Sequence, residues 1–122
     1  MNMEPVRFGV IGCGLMGREF ASVSMRWLHL ACELPRPVLV AACDLSPKNL
    51  DWFRQVPDTK YFYSDYHELL ANPEVEAVYC AVPHHLHAQV YGDVIRAGKH
   101  LIGEKPFGMD LAACEEVEAA MA

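Results

Sequence analysis

The chain has 122 residues, enough for one domain of ordinary size with its own core, and its composition is 52% hydrophobic and 21% charged. The formal net charge of −6 argues against a nucleic-acid partner, because no basic stripe is present. No apolar run approaches the roughly 20 residues of a membrane span. The amino-terminal residues lack the pattern of a signal peptide, so we expect a cytoplasmic protein that binds no membrane.

The cysteines predict neither a disulfide framework nor a metal site. Their number, five, is odd, and none forms a C-x-x-C pair. Most stand among apolar residues, where a free thiol behaves as a small hydrophobe. We interpret them as buried and reduced, with a redox or metal role as the alternative; they are Cys13, Cys32, Cys43, Cys80 and Cys114.

Short apolar runs alternate with helical patterns, which is typical of a parallel sheet with crossover helices. The first strand is predicted at residues 6–11 and the second at residues 38–43, VLVAAC, a continuous apolar run expected for a strand covered on both faces. Between them, apolar residues at spacings of four, three, four and three predict one long amphipathic helix. They are Met16, Phe20, Val23, Trp27 and Leu30.

The middle of the chain predicts two short helices around a brief strand. Ser46 and Pro47 are typical of an N-cap and a first helical position, and the helix is expected to reach about residue 55. Residues 61–63 predict the third strand. Ser64 is the expected cap of the next helix, which ends before Asn72-Pro73.

The last part of the chain completes a doubly wound α/β pattern. Residues 77–82, closed by Pro83, predict the fourth strand, and a helix at about 86–97 ends at Gly98, a usual left-handed position. Residues 100–103 predict the fifth strand, and Asp110 is the expected cap of a last helix. The usual doubly wound sheet has six strands, so a sixth is expected beyond this chain.

Gly12-Cys13-Gly14-Leu15-Met16-Gly17 fits G-x-G-x-x-G between a predicted strand and a predicted helix. Gly12 permits the tight turn, Gly14 lets the backbone approach a pyrophosphate, and Gly17 allows close packing of helix on strand. The N–H groups at the helix start, at Leu15 and Met16, then face the phosphates. The loop predicts a dinucleotide site; the alternative is that its glycines are only structural.

Asp44 follows the second predicted strand, where a carboxylate can accept a hydrogen bond from the adenosine ribose. Its charge would repel a 2′-phosphate, so NAD is favoured over NADP, although Lys48 nearby could soften this preference. The spacing from Gly17 is longer than the roughly 20 residues often seen, and we assign the excess to the loop at residues 31–37. The alternative is a turn acid.

Four motifs in order carry a family resemblance: the glycine loop, YSDYHELLANPEVEAVYCAVPHHLHAQV at residues 63–90, AGKH at 97–100 and GEKP at 103–106. On these, essentially the whole chain resembles the amino-terminal domain of the glucose–fructose oxidoreductase, inositol dehydrogenase and rhizopine-catabolism (Gfo/Idh/MocA) oxidoreductases. The resemblance implies a Rossmann-type domain over residues 1–122. It also implies hydride transfer between NAD(P) and a polyol, sugar or related hydroxylated small molecule.

The resemblance also implies which residues contact the cofactor. Ala81, Val82, Pro83 and the following loop would lie against it at the carboxyl ends of the strands. His84 stands where family members often carry asparagine, and His87 would face the nicotinamide or the substrate. No cysteine or carboxylate at ligand spacing completes the histidine cluster, His84-His85-x-His87, so we predict no metal site there. The alternative is that these histidines are surface or capping residues.

Lys105 is the predicted catalytic residue, and by the resemblance it lies with Glu104 near the nicotinamide and orients or polarises the substrate hydroxyl. Hydride leaves an alcohol carbon readily only when the hydroxyl proton departs, so a proton acceptor must be within reach. A lysine also stabilises developing alkoxide charge. Glu104 is expected to hold the ammonium and Pro106 to fix the backbone, with a cis Lys105–Pro106 bond as a possibility. The alternative is a solvent-facing lysine beside a turn.

Family members continue into a second, mostly antiparallel α/β domain that binds substrate and supplies further catalytic groups. We expect that domain to be absent from this chain, which alone is then not catalytically competent. A non-catalytic NAD-binding sensor or regulatory module is the rival interpretation, and a folded fragment that binds nothing is a third.

Without a sixth strand, the fifth strand presents an unpaired edge, which is a template for pairing with another chain. We therefore expect the chain to form a homo-oligomer through that edge or through the last helix. Light scattering at increasing protein concentration measures this association. A monodisperse monomer at high concentration would contradict it.

Overall fold

Five parallel strands form one sheet in the computed structural model of this protein, which describes residues 3–122. The strand order across the sheet is β3-β2-β1-β4-β5, so β3 and β5 are its edges. The strands are β1 (Val6–Ile11), β2 (Pro37–Cys43), β3 (Tyr61–Tyr63), β4 (Ala77–Cys80) and β5 (His100–Gly103). The helices are α1 (Leu15–Ser24), α2 (Pro47–Phe53), α3 (Tyr66–Leu70), α4 (His87–Arg96) and α5 (Leu111–Ala120).

Helices cover both faces of the sheet. Successive residues of a strand point to opposite faces, so neighbours in β2 pack against different helices. Leu39 belongs to a buried cluster that includes Phe53 of α2, and α1 packs on that same face. Its neighbour Val40 belongs to a second cluster that includes side chains of the other three helices: Leu69, Val94 and Val117. The predicted doubly wound α/β fold is therefore confirmed.

The five predicted strands are all present, with small differences at their ends. β1, β3 and β5 have the predicted bounds, and β2 begins one residue earlier, at Pro37. β4 ends at Cys80, two residues before the predicted end, although the Ala81 N–H still donates to the Ile11 carbonyl oxygen at 2.8 Å. The chain then leaves the sheet to form the loop that precedes Pro83.

The predicted long first helix is wrong. α1 ends at Ser24, so Trp27 and Leu30 lie beyond it, and Met16 and Val23 are exposed. The residues that α1 buries are small, Gly17, Ala21 and Ser24 being spaced by four and three. A helix that packs closely on a strand uses small residues at the contact, so of the large apolar residues in this stretch only Phe20 packs against the core.

The helix termini follow the predicted capping chemistry with one exception. The Ser46 hydroxyl accepts a hydrogen bond from the Asn49 N–H, and the Asp110 carboxylate accepts from the Ala113 N–H. Gly98 follows α4 with a φ of +77°, the expected left-handed conformation. The cap of α3 is Asp65 instead of Ser64, because its carboxylate reaches the His67 N–H at 2.9 Å.

The cysteines divide into two groups. Cys13, Cys43 and Cys80 are buried, and burial raises the pKa of each of these thiols to about 12, so they stay protonated and unreactive. Cys114 is partly exposed, and Cys32 is exposed on the loop before β2, contrary to the expectation of burial. Residues 3–122 contain neither a helix able to cross a membrane nor a cluster of three metal-ligating side chains.

Lys99 ties the start of β5 to the segment after α3. Its ammonium donates to the Asn72 carbonyl oxygen at 3.0 Å and to the Val75 carbonyl oxygen at 2.7 Å. Hydrogen bonds from charged donors are among the stronger ones in proteins. We therefore expect Lys99→Met to lower the free energy of unfolding by about 2 kcal/mol.

Urea denaturation of the two proteins measures this difference. Lys48→Met is the matched control, since Lys48 is an exposed residue of α2, and it should change the free energy of unfolding by less than about 0.5 kcal/mol. Equal losses in the two variants would show that the Lys99 hydrogen bonds contribute nothing specific.

Candidate functional site

A cleft of about 610 Å³ lies beside the carboxyl ends of the strands. This is the edge at which open α/β sheets bind their ligands. Four chain segments line it: the glycine loop after β1, the turn after β2, the start of α3, and the loop after β4 with the first turns of α4. The main lining residues are Gly12, Gly14, Asp44, Asn49, Tyr66, His67, Ala81, Val82, Pro83 and Gln89.

The glycine loop approaches its neighbours more closely than side chains would allow. Gly12 has a φ of +98°, and a Cβ there would lie 2.5 Å from the Ala81 carbonyl oxygen. A Cβ on Gly17 would lie 2.2 Å from the Gly12 carbonyl oxygen. The tight turn and the close contact between helix and strand, both inferred from the sequence, are present.

Gly14 differs from these two glycines, because a Cβ there would meet no heavy atom within 4 Å. Its side of the loop is open space next to the cleft. Gly14 is also the N-cap of α1 and has no side chain to accept hydrogen bonds from the first turn. The first-turn N–H groups of the exposed Leu15 and Met16 therefore stand where a phosphate could approach.

Asp44 joins the glycine loop to the turn after β2. One carboxylate oxygen accepts a hydrogen bond from the Cys13 N–H at 2.7 Å, and the other accepts from the Ser46 N–H at 2.8 Å. Asn49 Nδ2 lies 3.5 Å from this second oxygen. Because the oxygen that accepts from the Cys13 N–H has a further lone pair, the side chain can still accept from a ligand hydroxyl in the cleft.

The loop after β4 divides its residues between the cleft and the protein interior. Ala81, Val82 and Pro83 line the cleft, and His84 is exposed outside its lining. His87 is fully buried, with Nδ1 2.5 Å from the Pro106 carbonyl oxygen and Nε2 3.1 Å from the Val82 carbonyl oxygen. This placement differs from the expected contact with cofactor or substrate, since both ring nitrogens face backbone carbonyls.

Glu104 and Lys105 follow β5, and the Lys105–Pro106 bond is cis, as the sequence raised as a possibility. The Glu104 carboxylate accepts a hydrogen bond from the Tyr79 hydroxyl, and the Tyr79 ring stacks on Phe20 at 4.4 Å. Burial and this carboxylate raise the pKa of Tyr79, so its hydroxyl stays a donor. Glu104 therefore has a different partner from the ammonium that the sequence placed beside it, while the Lys105 side chain is exposed.

Two tyrosines near Glu104 were missed by the sequence analysis. Tyr79 lies in β4, and Tyr91 lies on α4, where its hydroxyl donates to the Glu104 carbonyl oxygen. Tyr79 stands inside the predicted fourth strand and Tyr91 inside the helix predicted at about 86–97, and neither belongs to a recognised motif. The available signal was their chemistry, because a buried tyrosine usually finds a hydrogen-bond partner for its hydroxyl.

Residues 6–122 match the family model GFO_IDH_MocA, described as an oxidoreductase family with an NAD-binding Rossmann fold. The match covers nearly the whole chain, including the glycine loop and the turn at Lys105. The chain belongs to this family. The resemblance inferred from the sequence motifs is thereby confirmed.

Relatives of the chain in the Gfo/Idh/MocA family include dehydrogenases. The chain is 34% identical over 93% of its length to 1-carboxy-3-chloro-3,4-dihydroxycyclo hexa-1,5-diene dehydrogenase of Comamonas testosteroni, of which it covers 27%. It is 30% identical over 91% of its length to inositol 2-dehydrogenase/D-chiro-inositol 3-dehydrogenase of Lactiplantibacillus plantarum, of which it covers 30%.

The fold also agrees with solved structures in this family. Scyllo-inositol dehydrogenase from Lactobacillus casei, with bound cofactor NAD(H) and scyllo-inositol, superposes with a TM-score of 0.83. Sequence identity is 25%, and the match covers 97% of this chain and 33% of that structure. The present Gfo/Idh/MocA chain thus spans about a third of the length of the proteins it matches.

The two glycines of the Gfo/Idh/MocA loop with opposite surroundings provide a test of the site. A Cβ on Gly17 collides with backbone, so Gly17→Ala should lower the free energy of unfolding by about 3 kcal/mol or more. A Cβ on Gly14 meets open space, so Gly14→Ala should cost about 1 kcal/mol or less but should obstruct a bound pyrophosphate.

Urea denaturation and NADH titration of both variants measure these effects. We expect Gly14→Ala to stay folded and to bind NADH at least about tenfold more weakly than the unaltered chain. Unchanged NADH affinity in Gly14→Ala would show that the phosphates do not bind next to Gly14.

Proposed function

We propose that this chain is the cofactor-binding part of an NAD-dependent oxidoreductase that transfers hydride between a nicotinamide and a polyol, sugar or related hydroxylated small molecule. The observation that carries the proposal is the bond from the Cys13 N–H to Asp44, which brings the glycine loop and the acid after β2 together beside one cleft. The relatives' names, which include dehydrogenases of inositols and of a cyclic diol, support this substrate class.

The residues present fit a dinucleotide. The open side of Gly14 and the first-turn N–H groups at Leu15 and Met16 would hold the pyrophosphate, with Gly12 and Gly17 shaping the loop. Asp44 would accept from the adenosine ribose. The middle of the cofactor would lie along Ala81, Val82 and Pro83, with the exposed His84 next to them outside the cleft lining.

The nicotinamide end would lie toward Glu104 and Lys105. When bound, the nicotinamide ring accepts or donates hydride at its C4 atom. Lys105 is exposed and stands at the end of β5, and we assign its Nζ to the substrate hydroxyl. As an ammonium it would stabilise negative charge that develops on the hydroxyl oxygen, and as an amine it would accept the hydroxyl proton. Glu104, held by Tyr79, would shape the floor beside this lysine.

Substrate selection would depend on chain outside these residues. The protein spans about a third of its relatives' length, and its cleft is lined mainly by segments that fit a cofactor. We therefore propose that a second α/β domain supplies the substrate pocket and further catalytic groups. The 122 residues alone would bind the dinucleotide without turning over substrate.

Parallel titrations with NADH and NADPH, followed by nicotinamide fluorescence, test the proposal. The Asp44 carboxylate lines the cleft, and its charge should repel a 2′-phosphate. We expect NADH to bind at least about tenfold more tightly than NADPH. Asp44→Asn removes the charge and should therefore narrow the ratio of NADH to NADPH affinity. It should also weaken NADH binding, because the amide oxygen can replace only one carboxylate oxygen, and the amide nitrogen cannot accept from the second of the Cys13 and Ser46 N–H groups.

Asp58→Asn is the matched control, because Asp58 is an exposed acid outside the cleft lining, and it should leave both affinities unchanged. Tighter binding of NADPH would overturn the role given to Asp44. Binding of neither nucleotide would overturn the proposal that this chain holds the cofactor by itself.

A further inference from the structure

We propose that His87 and Tyr91 of α4 are positioning residues that hold the backbone on both sides of Lys105 and thereby set where its amino group stands. This inference rests on the proposed function, because it concerns the nicotinamide end of the same site. In this proposal neither side chain contacts substrate or cofactor. They act through the main chain at Glu104 and Pro106.

The contacts bracket Lys105. The Tyr91 hydroxyl donates to the carbonyl oxygen of Glu104, the residue before it. Nδ1 of His87 lies 2.5 Å from the carbonyl oxygen of Pro106, the residue after it. A carbonyl oxygen only accepts, so the His87 contact is a hydrogen bond when Nδ1 carries the hydrogen.

The two rings form one rigid unit. His87 and Tyr91 are four residues apart on α4, which places them on the same helix face. Their ring centroids are 4.6 Å apart, with an angle of 20° between the ring planes. Both residues are almost fully buried, at 0% and 1% exposure, whereas Lys105 is exposed. A buried anchor thus supports an exposed functional group.

β5 leaves room for this arrangement at Gly103. A Cβ on that residue would lie 2.6 Å from the Tyr91 ring, so a side chain there would push the ring away from the turn. The glycine of the GEKP sequence therefore has a steric role. It allows the Tyr91 hydroxyl to reach the main chain one residue further on.

His87 also reaches the second cofactor-facing loop. Its Nε2 lies 3.1 Å from the carbonyl oxygen of Val82, whose loop lines the cleft. One buried ring thus lies between the loop after β4 and the turn after β5, and a ring whose single hydrogen is on Nδ1 donates only to Pro106. Asp44 and the glycine loop are held by other contacts, so a disturbance of these two rings should affect the nicotinamide end of the site and spare the adenosine end.

The test compares NADH with ADP-ribose, which has the adenosine and both phosphates but no nicotinamide. Tyr91→Phe removes one hydroxyl and keeps the ring. We expect it to weaken NADH binding about tenfold while ADP-ribose affinity stays within about twofold. Tyr61→Phe is the matched control, since Tyr61 lies on the opposite edge strand, and it should change neither affinity.

Two substitutions separate the contacts of His87. Asparagine can place an N–H near the position of Nδ1, so His87→Asn should keep the Pro106 contact and lose less than about threefold in NADH affinity. His87→Phe keeps a ring and loses both nitrogens, so it should resemble Tyr91→Phe. Equal ratios of NADH to ADP-ribose affinity in the unaltered chain, Tyr91→Phe and His87→Phe would overturn the proposal.

Amide hydrogen exchange of the nucleotide-free proteins tests whether His87 and Tyr91 hold the main chain around Lys105, even if no nucleotide binds. Tyr91→Phe should raise exchange several-fold in residues 104–109, with β1 and β4 unchanged. Unchanged exchange in that segment would overturn the proposal that these two residues hold it. If the unaltered chain binds neither NADH nor ADP-ribose, the proposed function fails, and the exchange result still decides whether these rings hold the turn.

Discussion

The structure depends on the close approach of backbone to backbone at the glycine loop. Gly12 lies against the Ala81 carbonyl and Gly17 against the Gly12 carbonyl, at distances that exclude a Cβ. These contacts bring β1, the start of α1 and the loop after β4 to one point. The central strands β1 and β4 pair beside it, so the cleft forms next to the buried centre of the sheet. A single added Cβ would push these segments apart, so the cleft forms only if the loop keeps this geometry.

Polar contacts then connect the ends of the other strands to this point. The Asp44 carboxylate accepts hydrogen bonds from N–H groups of the glycine loop and of the turn after β2. The acid that lines the cleft therefore also holds two segments of the cleft wall together. The turn interpretation and the ligand interpretation of Asp44 are therefore compatible. At the other end of the cleft, α4 has the corresponding role, since its buried aromatic rings hold the carbonyl groups around Lys105. Both ends use buried or half-buried side chains to fix backbone, and at the β5 end they leave Lys105 exposed.

The expected roles changed where a side chain had a choice of partners. Neighbours in sequence suggested that Glu104 would hold the Lys105 ammonium, but consecutive residues at the end of a strand point in different directions. The Glu104 carboxylate meets the Tyr79 hydroxyl, which comes from a strand 25 residues earlier in the sequence. His87 was expected at the ligand, and in the structure its Nδ1 faces the carbonyl oxygen of Pro106, 19 residues further along the chain. In both cases the partner is distant in the chain.

The amino-acid sequence by itself determined the elements whose signals are local. Short-range sterics and hydrogen bonding determine these elements: the apolar strands, the caps at Ser46 and Asp110, the left-handed Gly98, and the G-x-G-x-x-G loop with its acid. Only the tertiary structure decided the buried face of α1, because close packing on the sheet selected Gly17, Ala21 and Ser24 over the larger apolar residues. It also decided the partners of Asp44, Glu104 and His87, because these contacts span 19 to 31 residues along the chain and exist only once the parallel strands lie side by side.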